Sequence, residues 1–240
     1  MPGLYKDEAV VLSRIKLGEA DRIVTLFTRN HGKVRAVAKG VRKTKSRFGG
    51  RLELFQRVDL MLYRGRNLDT ITAASIIEPF RTIRDEYASY TAACAMAEAV
   101  EKITEEHERQ HSTYKLLLAG MAALDRGQGA TIVPAFLVKL LSVSGYHPSL
   151  GVCAGCGGGD LQGFSPALGG AVCPECRGDD GTSIRLSPEH LLLLSELLQS
   201  DFGVDADARS VLDLTQTLRR YAEYHLERPL RSLSLLAVTS

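Results

Sequence analysis

Apolar and polar positions alternate with a period of two over most of residues 9–77, the spacing of half-buried strands. The pattern predicts five strands, Ala9 to Ile15, Arg22 to Thr28, Lys33 to Lys39, Leu52 to Tyr63 and Leu68 to Ile77, all rich in Val, Ile, Thr and aromatic residues. Gly18, Asn30 with Gly32, Gly49 with Gly50, and Gly65 with Asn67 punctuate them. Five short strands in about 75 residues are too few for a sandwich and match a small closed barrel of the oligonucleotide-binding (OB) type. In the third strand Val34, Ala36 and Ala38 are expected to face the core, leaving Lys33, Arg35, Val37 and Lys39 on an outer, largely basic face.

Beyond Pro79 the period becomes helical. Helices are expected over Arg84 to Thr104, Ser112 to Leu124, Ala135 to Ser144 (stopped by Gly145), and Ala208 to Leu226. Ser187-Pro188-Glu189-His190 reads as a capping serine with proline at the first helical position, opening a helix through Leu198. Residues 152–176 are rich in Gly and Cys and have no helical period. The expected architecture is α+β: an OB barrel over residues 1–80, then a helical domain over 81–240 with a metal-nucleated insertion at about 150–180.

Charge changes the picture more than composition does. With 45% hydrophobic and 24% charged residues the chain falls in the soluble globular range, and no apolar run approaches the ~18 residues of a membrane span. Polar residues interrupt the start of the chain, so no secretory signal is read and a cytoplasmic, nucleoid-associated protein is expected. Residues 1–66 hold 16 Lys and Arg against 6 acids, whereas the remainder holds 14 against 22. Such a concentration of positive charge is the footprint of a polyanion binder; a solvated face balanced by the acidic remainder is the plainer alternative. The candidate nucleic-acid-binding residues are Lys33, Arg35 and Lys39 on the third strand, Arg42, Lys43, Lys45, Arg47 and Arg51 in the glycine-flanked segment that follows, and Arg64 and Arg66. Phe48, Phe55 and Tyr63 are nearby aromatics that could stack on bases or fill the barrel.

Cys153-Ala-Gly-Cys156 and Cys173-Pro-Glu-Cys176 form two C-x-x-C turns separated by sixteen residues, the spacing of a zinc ribbon. Four thiolates (Cys153, Cys156, Cys173 and Cys176) would close the shell of one Zn2+ and leave no position for water, so a structural ion is expected. His147 and His190 are alternative ligands by chemistry, with surface or core positions the simpler reading, and Cys94 reads as a small buried residue in a helix. No phosphate-binding loop, H-E-x-x-H pair or nucleophilic triad is present in the sequence, and the acidic pairs Glu105-Glu106 and Asp179-Asp180 read as charged surface. The chain therefore reads as a binder and not an enzyme.

The run Gly18-Glu19-Ala20-Asp21-Arg22-Ile23-Val24-Thr25-Leu26-Phe27-Thr28, His31-Gly32-Lys33 leading to Ala38-Lys39-Gly40, and Leu52-Glu53-Leu54-Phe55 with Leu62-Tyr63 resemble the bacterial RecO family of recombination mediators in DNA repair. The resemblance runs over essentially the full length and is strongest in residues 5–80. It implies an N-terminal OB domain, a helical domain with a zinc-finger-like insertion, and binding to single- and double-stranded DNA. It also implies annealing of complementary strands and action with RecR and the C-terminal tail of single-strand binding protein (SSB) to load a RecA-type recombinase, RecA being reached indirectly. The rival expectation is a non-annealing OB and zinc-ribbon scaffold for RNA or a protein partner, and a metal nuclease is a further rival.

Overall fold

A computed structural model describes residues 3–178 and 181–238; Asp179 and Asp180 lie outside the described residues. Strands β1 (Leu4–Leu17), β2 (Asp21–Thr28), β3 (Gly32–Ala38), β4 (Arg57–Tyr63) and β5 (Asp69–Glu78) close into a barrel in the order β1-β2-β3-β5-β4. All pairings are antiparallel except β3 with β5, which joins Ala36 to Asp69 and Val37 to Thr70. β1 is long enough to pair with β4 along its first half and β2 along its second, and a register slip between Val11 and Ser13 lets it bend from one to the other. This is the expected OB barrel. Its interior is built from alternate residues, among them Ala9, Val11, Val24, Leu26, Val34, Ala36, Ala38, Val58, Leu60, Leu62 and Ile71.

The fourth strand starts later than the alternation suggests, at Arg57 and not Leu52. The preceding residues 39–56 are a succession of turns whose amides bond back three residues, as in Ser46 to Lys43, Gly49 to Ser46 and Arg51 to Phe48. Phe48 and Leu52 turn inward and join the barrel core. Phe55, at a φ of 68°, reverses the chain, and its amide donates to the Val11 carbonyl while Val11 donates to Gln56.

Two compact units divide the chain between Asp125 and Arg126. The first adds to the barrel helices α1 (Arg81–Asp85), α2 (Tyr87–Ile103) and α3 (His111–Asp125). The single helix expected from Arg84 is thus broken at Glu86, which has extended backbone; α1 is a short turn that buries Ile83, and Asp125 at the end of α3 accepts the amides of Thr82 and Ile83. Tyr114 of α3 donates to Glu8 of β1 at 2.7 Å, and the same carboxylate oxygen accepts Arg57 Nε at 2.6 Å, so α3 and two strands share one charged knot. Burial pushes the Glu8 carboxyl up, but the hydrogen bonds from Arg57 and Tyr114 outweigh it and its pKa lies below the ordinary value.

In the second unit α4 (Ile132–Val143) is buried over most of its circumference and packs against α5 (Pro188–Gln199) and α6 (Ala208–Leu226). Ser187 caps α5 through the His190 amide, as its sequence predicts, and Asp207 caps α6 through Arg209 and Ser210. Between α4 and α5 lies a small sheet in the order β7-β6-β8, from β6 (Gly163–Ser165), β7 (Gly170–Val172) and β8 (Ile184–Arg185). A short 3-10 helix, Ser232–Val238, follows α6.

Candidate nucleic-acid interface and metal centre

The cations of the barrel fall into two classes. Those on the strands are matched with acids: Lys6 with Asp59, Arg14 and Arg22 with Glu53, Arg29 and Arg57 with Glu8, and Arg35 with Glu106. Lys33 is committed elsewhere. Its ammonium donates to the carbonyls of Glu101 and Thr104, where α2 ends, so it neutralises the negative end of that helix. Residues 106–107 run beside it: Lys33 bridges to Glu106, and the His107 amide donates to the Lys33 carbonyl. Gly32 permits this approach, since a Cβ there would lie 1.8 Å from the Glu108 carbonyl oxygen. The outer face of β3 is therefore held by the α2–α3 connection through Lys33 and Arg35 instead of forming the open basic strand that alternation suggests.

The cations after β3 and β4 are different. Lys39, Arg42, Lys43, Lys45, Arg47, Arg51, Arg64 and Arg66 are exposed, and none has a carboxylate partner among the described residues. The arginines of the turn segment bind main-chain carbonyls: Arg42 those of Gly18 and Glu19 at 3.3 and 2.9 Å, Arg47 that of Ile71, and Arg51 that of Arg47. Residues 40–47 are thereby tied to the β1–β2 turn at one side and to β5 at the other. Arg64 lies over the Tyr5 ring, and Tyr5 donates to Asp69 at 2.5 Å, whose other oxygen accepts the Gly65 amide. This contact fixes the β4–β5 turn that bears Arg64 and Arg66. The role of Tyr5 was not legible in sequence, because its partner is 64 residues away.

Two of the three candidate stacking aromatics are unavailable. Phe48 and Phe55 are each 1% exposed; Phe48 fills the barrel under Arg47, and Phe55 packs edge-on against Tyr90. The apolar term decides their position, since burying a phenyl ring gains more than leaving it in water for an occasional base. Tyr63 is 46% exposed.

Cys153, Cys156, Cys173 and Cys176 bring their four sulfurs within 4.8 Å of one another. A tetrahedron with Zn–S bonds of about 2.3 Å has edges of about 3.8 Å, and the Cys156 and Cys173 sulfurs stand 3.7 Å apart. The Cys173 amide donates to Cys153 Sγ at 3.3 Å. Together with the Cys156 and Gly155 amides it draws the Cys153 thiol down to about 6, stabilising the thiolate a metal needs. Cys176 is pushed up to about 12 by hydrogen bonds shared with the other three sulfurs, which is how a four-sulfur cluster holds its protons when no cation neutralises it. Gly155 is required by space, as a Cβ there would lie 2.9 Å from Cys176 Sγ. The cluster can bind a metal ion, and its all-sulfur donor set leaves no site for a reacting water. His147 and His190 are not part of the cluster; His190 instead meets Ser187 and Asp213. Cys94 is half-buried, with its thiol pushed up by desolvation.

An OB barrel with an unmatched cationic margin, joined to a helical unit bearing a closed four-thiolate cluster, defines a two-unit binding protein with a structural metal centre. The sequence model of the family described as "Recombination protein O N terminal" matches residues 1–80, and that of "Recombination protein O C terminal" matches residues 84–234. The chain belongs to the RecO family of DNA repair proteins. Similar proteins, each named DNA repair protein RecO, include those of Bifidobacterium animalis subsp. lactis (45% identical, over 97% of this chain and 99% of the relative) and Frankia casuarinae (46%, over 97% and 98%). That of Nocardioides sp. is 44% identical over 96% of this chain and 98% of the relative.

Proposed function

We propose that the exposed cationic segment after β3, with the β4–β5 turn, binds single- and double-stranded DNA through its phosphates, and that the chain uses this grip to anneal complementary strands. The observation that carries the reading is that Lys39, Arg42, Lys43, Lys45, Arg47, Arg51, Arg64 and Arg66 have no acid to neutralise them, whereas the strand cations do. Lys33 and Arg35 contribute to the field but not to contact, because their charges are already engaged. Each phosphate met releases counterions, and a dense cationic surface lowers the repulsion between two polyanions without consuming energy. With Phe48 and Phe55 buried there is little stacking surface, which favours backbone binding over base reading.

In this reading the four thiolates hold one structural Zn2+, and the chain acts in the cytoplasm at the nucleoid as a mediator and not as an enzyme. It works with RecR and the SSB C-terminal tail so that a RecA-type recombinase replaces SSB. The test is a strand-annealing assay with complementary DNA and RNA oligonucleotides, with and without SSB coating, followed by co-elution of the chain with purified RecR. Accelerated DNA annealing that survives SSB, with RecR co-eluting, supports the mediator. Binding without annealing would overturn it in favour of a scaffold, and magnesium-dependent cleavage of the oligonucleotides would overturn the non-enzymatic reading.

A further inference from the structure

The cations with no intramolecular bond of any kind are a smaller set than the exposed ones. Among the described residues Lys16, Lys39, Lys43, Lys45 and Arg66 make neither an ion pair nor a hydrogen bond, while Arg42, Arg47 and Arg51 are each spent on carbonyls. Lys16 was not singled out by the sequence, where it reads as one more strand cation. Register shows its place: Lys16 pairs with Arg22 and Arg22 with Ala38, the residue before Lys39. At about 4.8 Å per strand that row spans about 10 Å, and it ends at the cationic segment. Arg42 then closes the gap. Its amide donates to the Ala20 carbonyl at 3.0 Å and its guanidinium to those of Gly18 and Glu19, so the residues on either side of it are clasped over the turn that follows Lys16. Asp21, in the same turn, is occupied by the Gly40 amide.

We propose that Lys16 is a phosphate-contacting residue continuous with Lys39, Lys43 and Lys45, and that Arg42 is a positioning residue that holds this ridge together and does not itself meet phosphate. The inference rests on the DNA-binding reading above and deepens it. An ammonium with no protein partner keeps its full charge for a phosphate and exchanges only water and counterions. A guanidinium bonded to two carbonyls must break those bonds first, so replacing it by a neutral donor changes geometry more than ion release.

The experiment uses the full chain and a labelled mixed-sequence single-stranded oligonucleotide, with binding followed by anisotropy from 50 to 200 mM salt. Each phosphate contact adds about 0.7 to the magnitude of the log–log slope, or roughly 2.5-fold in affinity across that range. Lys16→Gln and Lys43→Gln should each lower the slope by about 0.7. Arg42→Gln, which removes the same charge, should weaken binding at every salt concentration while changing the slope by less than half that amount. Lys6→Gln, whose charge is matched by Asp59, should leave the slope unchanged. A Lys16→Gln slope equal to the parent's, beside a lowered Lys43→Gln slope, overturns the assignment of Lys16 and leaves the DNA-binding reading intact. Equal slope losses for Arg42→Gln and Lys43→Gln overturn the positioning role. Failure of the unmodified chain to bind at all sinks the DNA-binding reading itself. Thermal melts of each variant separate these outcomes from loss of fold.

Discussion

Residues 39–56 and residues 151–178 both have little regular structure, and they are held by opposite means. The first plugs its own barrel: Phe48 and Leu52 are buried in the core, and the cations between these anchors and β3 are left to face solvent. The second has almost no apolar interior. Its small cluster consists of Cys153, Val172 and Cys173, with Ala154, Leu161 and Cys176 against it, so the sulfurs themselves are the core. Hydrophobic burial holds one segment whatever ion is present, whereas the other depends on a ligand that satisfies four thiolates. An irregular segment is thus no weaker than a regular one when something inside it is buried, and the identity of that buried material decides which conditions destroy it.

The largest effect should come from breaking the metal centre. Cys173→Ser, or removal of the ion with a strong chelator, should take metal content from one ion per chain to none and open residues 151–178 to proteolysis, since structural zinc supplies roughly 10 kcal/mol or more to small metal-folded units. Mass spectrometry of the metal and of the proteolytic fragments reads both. Fragments unchanged after metal loss would show that the β7-β6-β8 sheet holds the segment without it.

Next comes the plug. Phe48→Ala empties a fully buried site and should cost about 3 to 5 kcal/mol by chemical denaturation, with zinc content unchanged. A loss under about 1 kcal/mol would mean that Leu52 and Val41 close the barrel unaided.

A smaller, pH-dependent effect is expected at Glu8. Its folded pKa lies below the unfolded one, so the stability it contributes is present above the unfolded carboxylate pKa and disappears as pH falls through the folded value. Glu8→Gln should flatten the fall in Tm on acidification below about pH 4.5, and an unaltered acid profile would place that dependence on other carboxylates. The smallest effect is that of Ser187→Ala, which removes the oxygen that accepts the His190 amide and should cost about 1 kcal/mol.

Much of this was legible because period and punctuation agree locally. α6 has the bounds its pattern indicates, Ser187-Pro188 caps α5, and the alternation of β3 puts Val34, Ala36 and Ala38 inside. The two C-x-x-C turns meet because their spacing encodes a shared ion. What was hidden depends on distant partners. Alternation continues through Leu52 and Leu54, so nothing local marks the turns that delay β4; only the need to fill the barrel with Phe48 does. Lys33 and Lys43 are indistinguishable in sequence, yet one caps a helix some seventy residues away and the other is free. Charge could be counted from the sequence, but its matching depends on the fold.

The central claim, that unmatched cations on the barrel margin grip polynucleotide backbones, is tested most directly by the salt dependence of equilibrium binding of the intact chain to thymidine homopolymer and to mixed-sequence single strands. Five free cations predict a log–log slope of about −3.5 for both ligands, with affinities within a few-fold of each other. A slope shallower than about −1, or a strong preference for one base composition, would contradict it.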